Sequence, residues 1–364
     1  MVQAVRRDAL DGRSDLAVIF CYNIHMKKFL THWPYTLLTL AFFFKSAGGA
    51  WDVAYHFKHF REFYQLPHLL NGFGDLLTLA MLAYLWKKST EQGQKNLRVI
   101  IYGIIVFILA IGMDQWWHEK FGIDLTTWSL SHFALYLGTF IAIVGAFRYI
   151  YQDIKDGFIS SLAGKLYTLV FGYLILDSFW FPLLQQEEGA VASYNMAHGI
   201  IIADADLMAL FFKSNFSVYG SVPMWVYGAW AGLSSVLIFH FVKIINRKLK
   251  VSPYIATLTA VVYIGFRAVA NLIFVGVTYP TSVVPYYLII AAILFDVVYN
   301  MLSEQTWVRD VLSSATVLLV LAGFSQIQTD FPIHPPMPFN TTFLLVIPAM
   351  FLGYIGARWL ARWF

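Results

Sequence analysis

Apolar positions along the 364-residue chain fall into long blocks separated by short polar connections. Runs at 34–50, 98–113, 133–147, 254–266 and 340–357 approach the ~20 residues that a helix needs to cross a bilayer. Extended to their polar ends, the blocks predict spans at 34–57, 67–86, 98–119, 128–151, 161–183, 194–212, 223–246, 254–278, 282–303, 307–326 and 340–364. The expected fold is therefore all-α: a polytopic transmembrane helical bundle of about 10–11 spans. Residues 1–33 form a polar leader with Arg6, Arg7 and Arg13 and no clear periodicity.

The connections differ in charge, and basic loops mark the cytoplasmic side. Segment 87–98 carries Lys87, Lys88, Lys95 and Arg98 against Glu91, whereas 183–193 carries only Glu187 and Glu188. The strongly basic 243–250 should also be cytoplasmic, yet counting 194–212 as a full span puts it outside. A re-entrant segment at 194–222, which contains Asp204 and Asp206, removes the conflict, because polar backbone is tolerated at membrane depth where it lines a cavity. Both termini are then expected in the cytoplasm. The chain divides into the leader, a repeated-hairpin membrane domain at 34–222 and C-terminal transmembrane helices at 223–364.

Ionisable residues inside this apolar pattern repeat. The stretch 51–74, WDVAYHFKHFREFYQLPHLLNGFG, reads Asp-x3-His, a loop, then His-x5-Gly, and 113–138 reads the same. Asp52, His56, His68 and Gly74 correspond to Asp114, His118, His132 and Gly138. A third, degenerate unit has Asp177, Phe181 in place of the first histidine, and His198. Such a period marks duplication of a helical hairpin. Asp and His at i, i+4 share a helix face, so the repeated groups are expected together near the outer membrane surface.

Two imidazoles and a carboxylate per hairpin supply the three protein ligands of an open metal site. The expected metal ligands are Asp52, His56, His68, Asp114, His118 and His132, in one binuclear or two separate centres. Asp177 and His198 would complete a further site or support the first ones. The same groups also suit a proton or solute pathway, or hydrogen bonds that pin the hairpins; recurrence of the whole triad favours metal. Lys45 and Asp75 lie two turns inside Asp52 and His68, at matched depth, and are expected to pair. Arg267 and Asp296, placed near the middles of adjacent spans, are the second expected buried pair. His25, His32, His59 and His240 carry no assigned role, and His334 in the proline-rich 331–339 is expected as an exposed loop residue.

Composition agrees: 59% of residues are hydrophobic and only 13% charged, about half the charged share of a soluble domain. The net charge of +4 reflects basic loops, and no feature points to nucleic acid. A lone Cys21 excludes an intrachain disulfide and a cysteine metal cluster. The small-residue stretch at 46–50 is cleavage-like, but Lys45 interrupts the apolar run before it, so a signal peptide is not expected. Met26 offers an alternative start.

The Asp-x3-His motif, followed by aromatics and Leu66-Pro67-His68 opening the next helix, resembles the copper site of the C subunit of copper-containing membrane monooxygenases, the particulate methane and ammonia enzymes. The resemblance covers about 25 residues per hairpin. It implies copper at Asp52, His56 and His68 and again at Asp114, His118 and His132, with zinc or iron as alternatives. It also implies oxidation of a small apolar or lipid-like substrate from the membrane lipid, and other membrane subunits as partners. A proton- or metal-coupled transporter, a zinc-dependent intramembrane hydrolase and a metal-binding accessory subunit are the alternatives.

Overall fold

A computed structural model describes residues 32–52, 55, 66–121, 128–197, 224–277, 284–302, 306–330 and 343–364. Every regular element among them is helical. We number the helices α1 (32–52), α2 (Leu66–Lys88), α3 (Glu91–Phe121), α4 (Leu130–Lys155), α5 (Ser161–Ala197), α6 (Met224–Leu249), α7 (Ile255–Gly276), α8 (Tyr287–Met301), α9 (Thr306–Asp330) and α10 (Phe343–Ala361). Among the described residues, seven helices are long and apolar enough to cross a membrane, and two further helices are apolar but shorter. The protein is an integral, multi-pass helical membrane protein.

Burial sorts the helices. α5 and α6 are the most enclosed spans, whereas α2, α7 and α9 bury little of theirs. Large side chains such as Leu76, Leu109, Leu272, Leu319 and Phe351 point outward, as lipid-facing positions should. The centre is aromatic: Trp180, Tyr263, Phe147, Phe171 and Phe241 are essentially fully buried.

Lipid is as apolar as leucine, so close packing rather than water exclusion holds such helices together. Glycines supply the closest approaches, and the two hairpins use them identically. A Cβ on Gly74 would lie 2.7 Å from the Ala41 carbonyl oxygen and 3.1 Å from the Lys45 nitrogen. A Cβ on Gly138 would lie 2.8 Å from the Gly103 carbonyl oxygen and 2.6 Å from the Phe107 nitrogen. Ala41 and Gly103, like Lys45 and Phe107, are 62 residues apart, as are Asp52 and Asp114. The hairpins α1–α2 and α3–α4 thus share one backbone register, which extends the duplication from motif to packing.

Helix direction resolves the topology conflict. Trp230 Nε1 of α6 donates to the Phe179 carbonyl of α5 at 2.6 Å, and Gly172 of α5 packs near Val242, so α5 and α6 run antiparallel. The chain therefore leaves α5 and enters α6 at the same end of the bundle. Residues 194–197, expected to begin a separate span, continue α5; 198–223, with His198, Asp204 and Asp206, lie outside the described residues. With the ten described helices alternating in direction, Lys87, Lys88, Arg98, Arg148, Lys155, Arg247, Lys248 and Arg358 all gather at one end. The Asp–His motifs stand at the other.

Candidate functional site

The motif end is assembled by helix termini. In the first hairpin Asp52 lies among the last described residues of α1, and Pro67 occupies the first turn of α2, where its missing N–H costs no helical hydrogen bond. His68 follows directly. In the second hairpin Ser129 caps α4, and its Oγ accepts from the His132 backbone N–H at 3.3 Å. Ser129 fixes the first turn of α4, and the ring of Pro67 restrains that of α2, and with it the root of each histidine.

The aspartate and the last histidine of each unit meet. His68 Nε2 lies 2.8 Å from Asp52 Oδ1, and His132 Nε2 lies 3.2 Å from Asp114 Oδ1. The same two atoms make contact in both copies. The second pair is the more enclosed: the His132 side chain is 13% exposed against 38% for His68. Two electron-rich atoms this close need a positive centre between them, either a proton on Nε2 or a metal ion. The contact therefore suits an oriented imidazole, a proton-sharing pair or half of a metal site.

His56 lies outside the described residues. His118 is on α3, but its side chain is not among those described. Among the described residues no group of three or more His, Cys, Asp or Glu gathers around a common point. Each expected triad is thus seen as a carboxylate and one imidazole. A carboxylate oxygen and an imidazole nitrogen are donor types that copper, zinc and iron accept.

Beneath the pairs lies a buried polar layer. Lys45 Nζ donates to Asp75 Oδ1 at 2.7 Å and to Asn71 Oδ1 at 3.1 Å, and sits 3.4 Å from the Phe107 ring centre. The ion pair expected from matched depth is present, and it also ties α1 to α3. Because Phe107 is the repeat counterpart of Lys45, the hairpins touch through equivalent positions. Asp52 and Asp114 each stand seven residues further along these parallel helices, at similar depth.

Asp177 belongs to that buried layer and not to the pairs above it. Ser46 Oγ donates to its Oδ2 at 2.5 Å and is 3.0 Å from the Tyr173 hydroxyl. Gly49 faces Phe181 one turn above. In the register of α4 and α5, set by Tyr136 with Phe181 and Phe147 with Phe171, Asp177 lies about eight to nine residues, roughly 13 Å, below His132. The third unit has no short hairpin there: α5 continues through Ala197, and Asp177 ends up in mid-helix.

The expected Arg267–Asp296 pair is corrected. Asp296 Oδ1 contacts Lys243 Nζ at 2.6 Å, and its Oδ2 accepts from the Thr257 N–H at 2.7 Å and the Thr257 hydroxyl at 2.8 Å. The carboxylate neutralises Lys243 and satisfies the first turn of α7, where N–H groups lack intrahelical partners. Arg267 stands further up α7, within electrostatic range of Asp177 and Tyr173. α8 has only 15 residues, and its register against α7 puts Asp296 near the basic end rather than at mid-span.

The arrangement defines a multi-pass helical membrane protein built on a duplicated Asp–His hairpin. Comparison with family models, curated proteins and solved structures finds no match.

Proposed function

We propose that the protein is a membrane metalloprotein whose two hairpins each bind a metal ion, copper foremost, through Asp52, His56 and His68 and through Asp114, His118 and His132. The observation that carries this reading is the repeated contact between Asp Oδ1 and His Nε2 in both copies. A bound copper would supply dioxygen activation, making the protein an oxidative enzyme for a small apolar or lipid-like substrate. The lipid-exposed outer surfaces of α2 and α3 give such a molecule access from the bilayer.

The metal content of the purified full chain, and of His68→Gln and His132→Gln, is the test. Each substitution should weaken metal binding at its own hairpin at least about tenfold, the lower end for loss of a supporting contact. X-ray absorption should show nitrogen and oxygen ligands without sulfur. A folded protein that binds no copper, zinc or iron sinks the proposal. The buried groups Lys45, Asp75, Ser46 and Asp177 below the pairs favour a second reading, a proton- or metal-coupled transporter. Metal-free protein that passes protons in proteoliposomes, and loses the flux in Asp177→Asn, would establish that reading instead.

We infer further that the basic end, and with it both termini of the described bundle, faces the cytoplasm and that the Asp–His pairs face outward. A cysteine replacing Lys155, in a Cys21→Ser background, should react with an impermeant maleimide only after the membrane is opened from the cytoplasmic side. Labelling of intact cells at that position overturns the orientation.

A further inference from the structure

The opposite, basic end holds an open cavity of about 390 Å³ lined by α6, α8, α9 and α10. Pockets of this size accept small ligands, and this one has an unusual wall. Among the described residues, four guanidinium groups line it, from Arg247, Arg309, Arg358 and Arg362, against a single carboxylate, Asp310. Even were Glu304, in the adjoining 303–305 outside the described residues, to face it, two positive charges would remain in excess.

Arg309, Arg247 and Arg358 are held in place. Arg309 is buried, bonds Asp310 through Nε at 2.8 Å, and lies 4.4 Å from the Tyr299 ring centre. Arg247 donates to the Tyr299 hydroxyl. Arg358 donates to the Tyr354 hydroxyl at 2.9 Å, and that hydroxyl in turn donates to Asp310 Oδ2 at 2.9 Å. The deepest polar group is His240, fully buried, with Nε2 2.9 Å from Ser314 Oγ. Positive loop residues that only set topology are free to extend into water. Here three of the forks lie over tyrosine rings and line a shared cavity. Fixed guanidinium forks match phosphate oxygens two at a time.

We propose that this cavity binds a phosphate-bearing anion at the membrane–water boundary. The chemistry is common to a phospholipid headgroup and to a soluble phosphate compound. Basic pockets between transmembrane helices are a recurring way to hold anionic headgroups. The site lies at the end of the bundle opposite the Asp–His pairs, so it stands whether or not those pairs hold metal.

The test uses the full chain in detergent, with phosphatidylglycerol, phosphatidylcholine and inorganic phosphate as probes in native mass spectrometry and equilibrium binding. Saturable binding of phosphatidylglycerol over phosphatidylcholine is expected. It should fall at least about tenfold in Arg358→Gln/Arg362→Gln, in line with about 1.5–3 kcal/mol for a charged hydrogen bond. Thr306→Trp, at an exposed position of the mouth, should block binding with no change of charge. Lys87→Gln/Lys88→Gln, which removes the same charge elsewhere at the basic end, should leave binding intact. Retention of the lipid against excess phosphate assigns the site to a headgroup; binding of phosphate alone, with displacement of the lipid, assigns it to a soluble anion. Equal binding of both lipids without phosphate binding overturns the proposal. So does an effect of the Lys87/Lys88 change as large as that of the arginine pair.

Discussion

Replacing Lys45 by methionine should destabilise the folded protein by about 3–5 kcal/mol, the cost of leaving a buried charge without its partner. Asp75 would keep its carboxylate on the α2 face turned toward α1, with its ammonium partner 2.7 Å away removed. Asn71 would lose a donor as well. Methionine matches the volume of the lysine stem, so packing near Phe107 changes little and the loss reports on the charge. Asp75→Asn should cost a similar amount, because the ammonium group then faces only neutral acceptors. The double variant Lys45→Met/Asp75→Leu should recover most of the loss, since an apolar pair of similar volume replaces a buried ion pair at little cost. Reversible unfolding in mixed detergent micelles measures all three. Single variants as stable as the parent would mean that water reaches the pair and screens it.

That pair was readable in the sequence because both residues lie two turns from landmarks, Asp52 and His68, that the hairpin holds at one level. The same reasoning failed for Arg267 and Asp296. Depth there was counted from the middles of apolar blocks, and the block at 282–303 forms a helix of only 15 residues, Tyr287–Met301. Its Asp296 therefore reaches the first turn of α7 and Lys243. Lys243 looked like one more basic loop residue, although it lies a full turn inside Arg247 and on the same helix as His240, where an uncompensated cation would be costly. The hairpin repeat was legible down to its glycines, because two copies of one hairpin repeat their spacing. The third copy was not, because nothing in Asp177 and Phe181 reveals that α5 continues for several turns beyond them. The arginine cavity has no local signature. Its walls come from 240–247, 299, 306–310 and 354–362, and only the packing of four helices joins them.

Gly138→Ala tests whether the glycine of the motif, rather than its charged residues, sets the geometry of the site. Alanine in a helix is favoured over glycine by about 1 kcal/mol, so with open space around it the change would stabilise. Gly72 has such space, with nothing within 4 Å of an added Cβ, and Gly72→Ala should be neutral or stabilising by up to about 1 kcal/mol. At Gly138 the added carbon would stand 2.6 Å from the Phe107 nitrogen and 2.8 Å from the Gly103 oxygen. Backbone atoms cannot rotate aside, so α3 and α4 must separate. Overpacking costs about 1–3 kcal/mol, and a rigid backbone obstacle belongs at the upper end; after the propensity gain, the expected net loss is about 2 kcal/mol. The separation should also propagate to the helix ends. Asp114 and His132 meet at 3.2 Å two turns from this crossing, and they approach only because the helices do. His132 should accordingly react faster with diethyl pyrocarbonate in Gly138→Ala, while His68 keeps its parental rate. Gly74→Ala should reverse the pattern, exposing His68 and sparing His132. If both variants leave histidine reactivity and stability unchanged, the glycine contacts do not hold the pairs together, and the loops between the helices must do so.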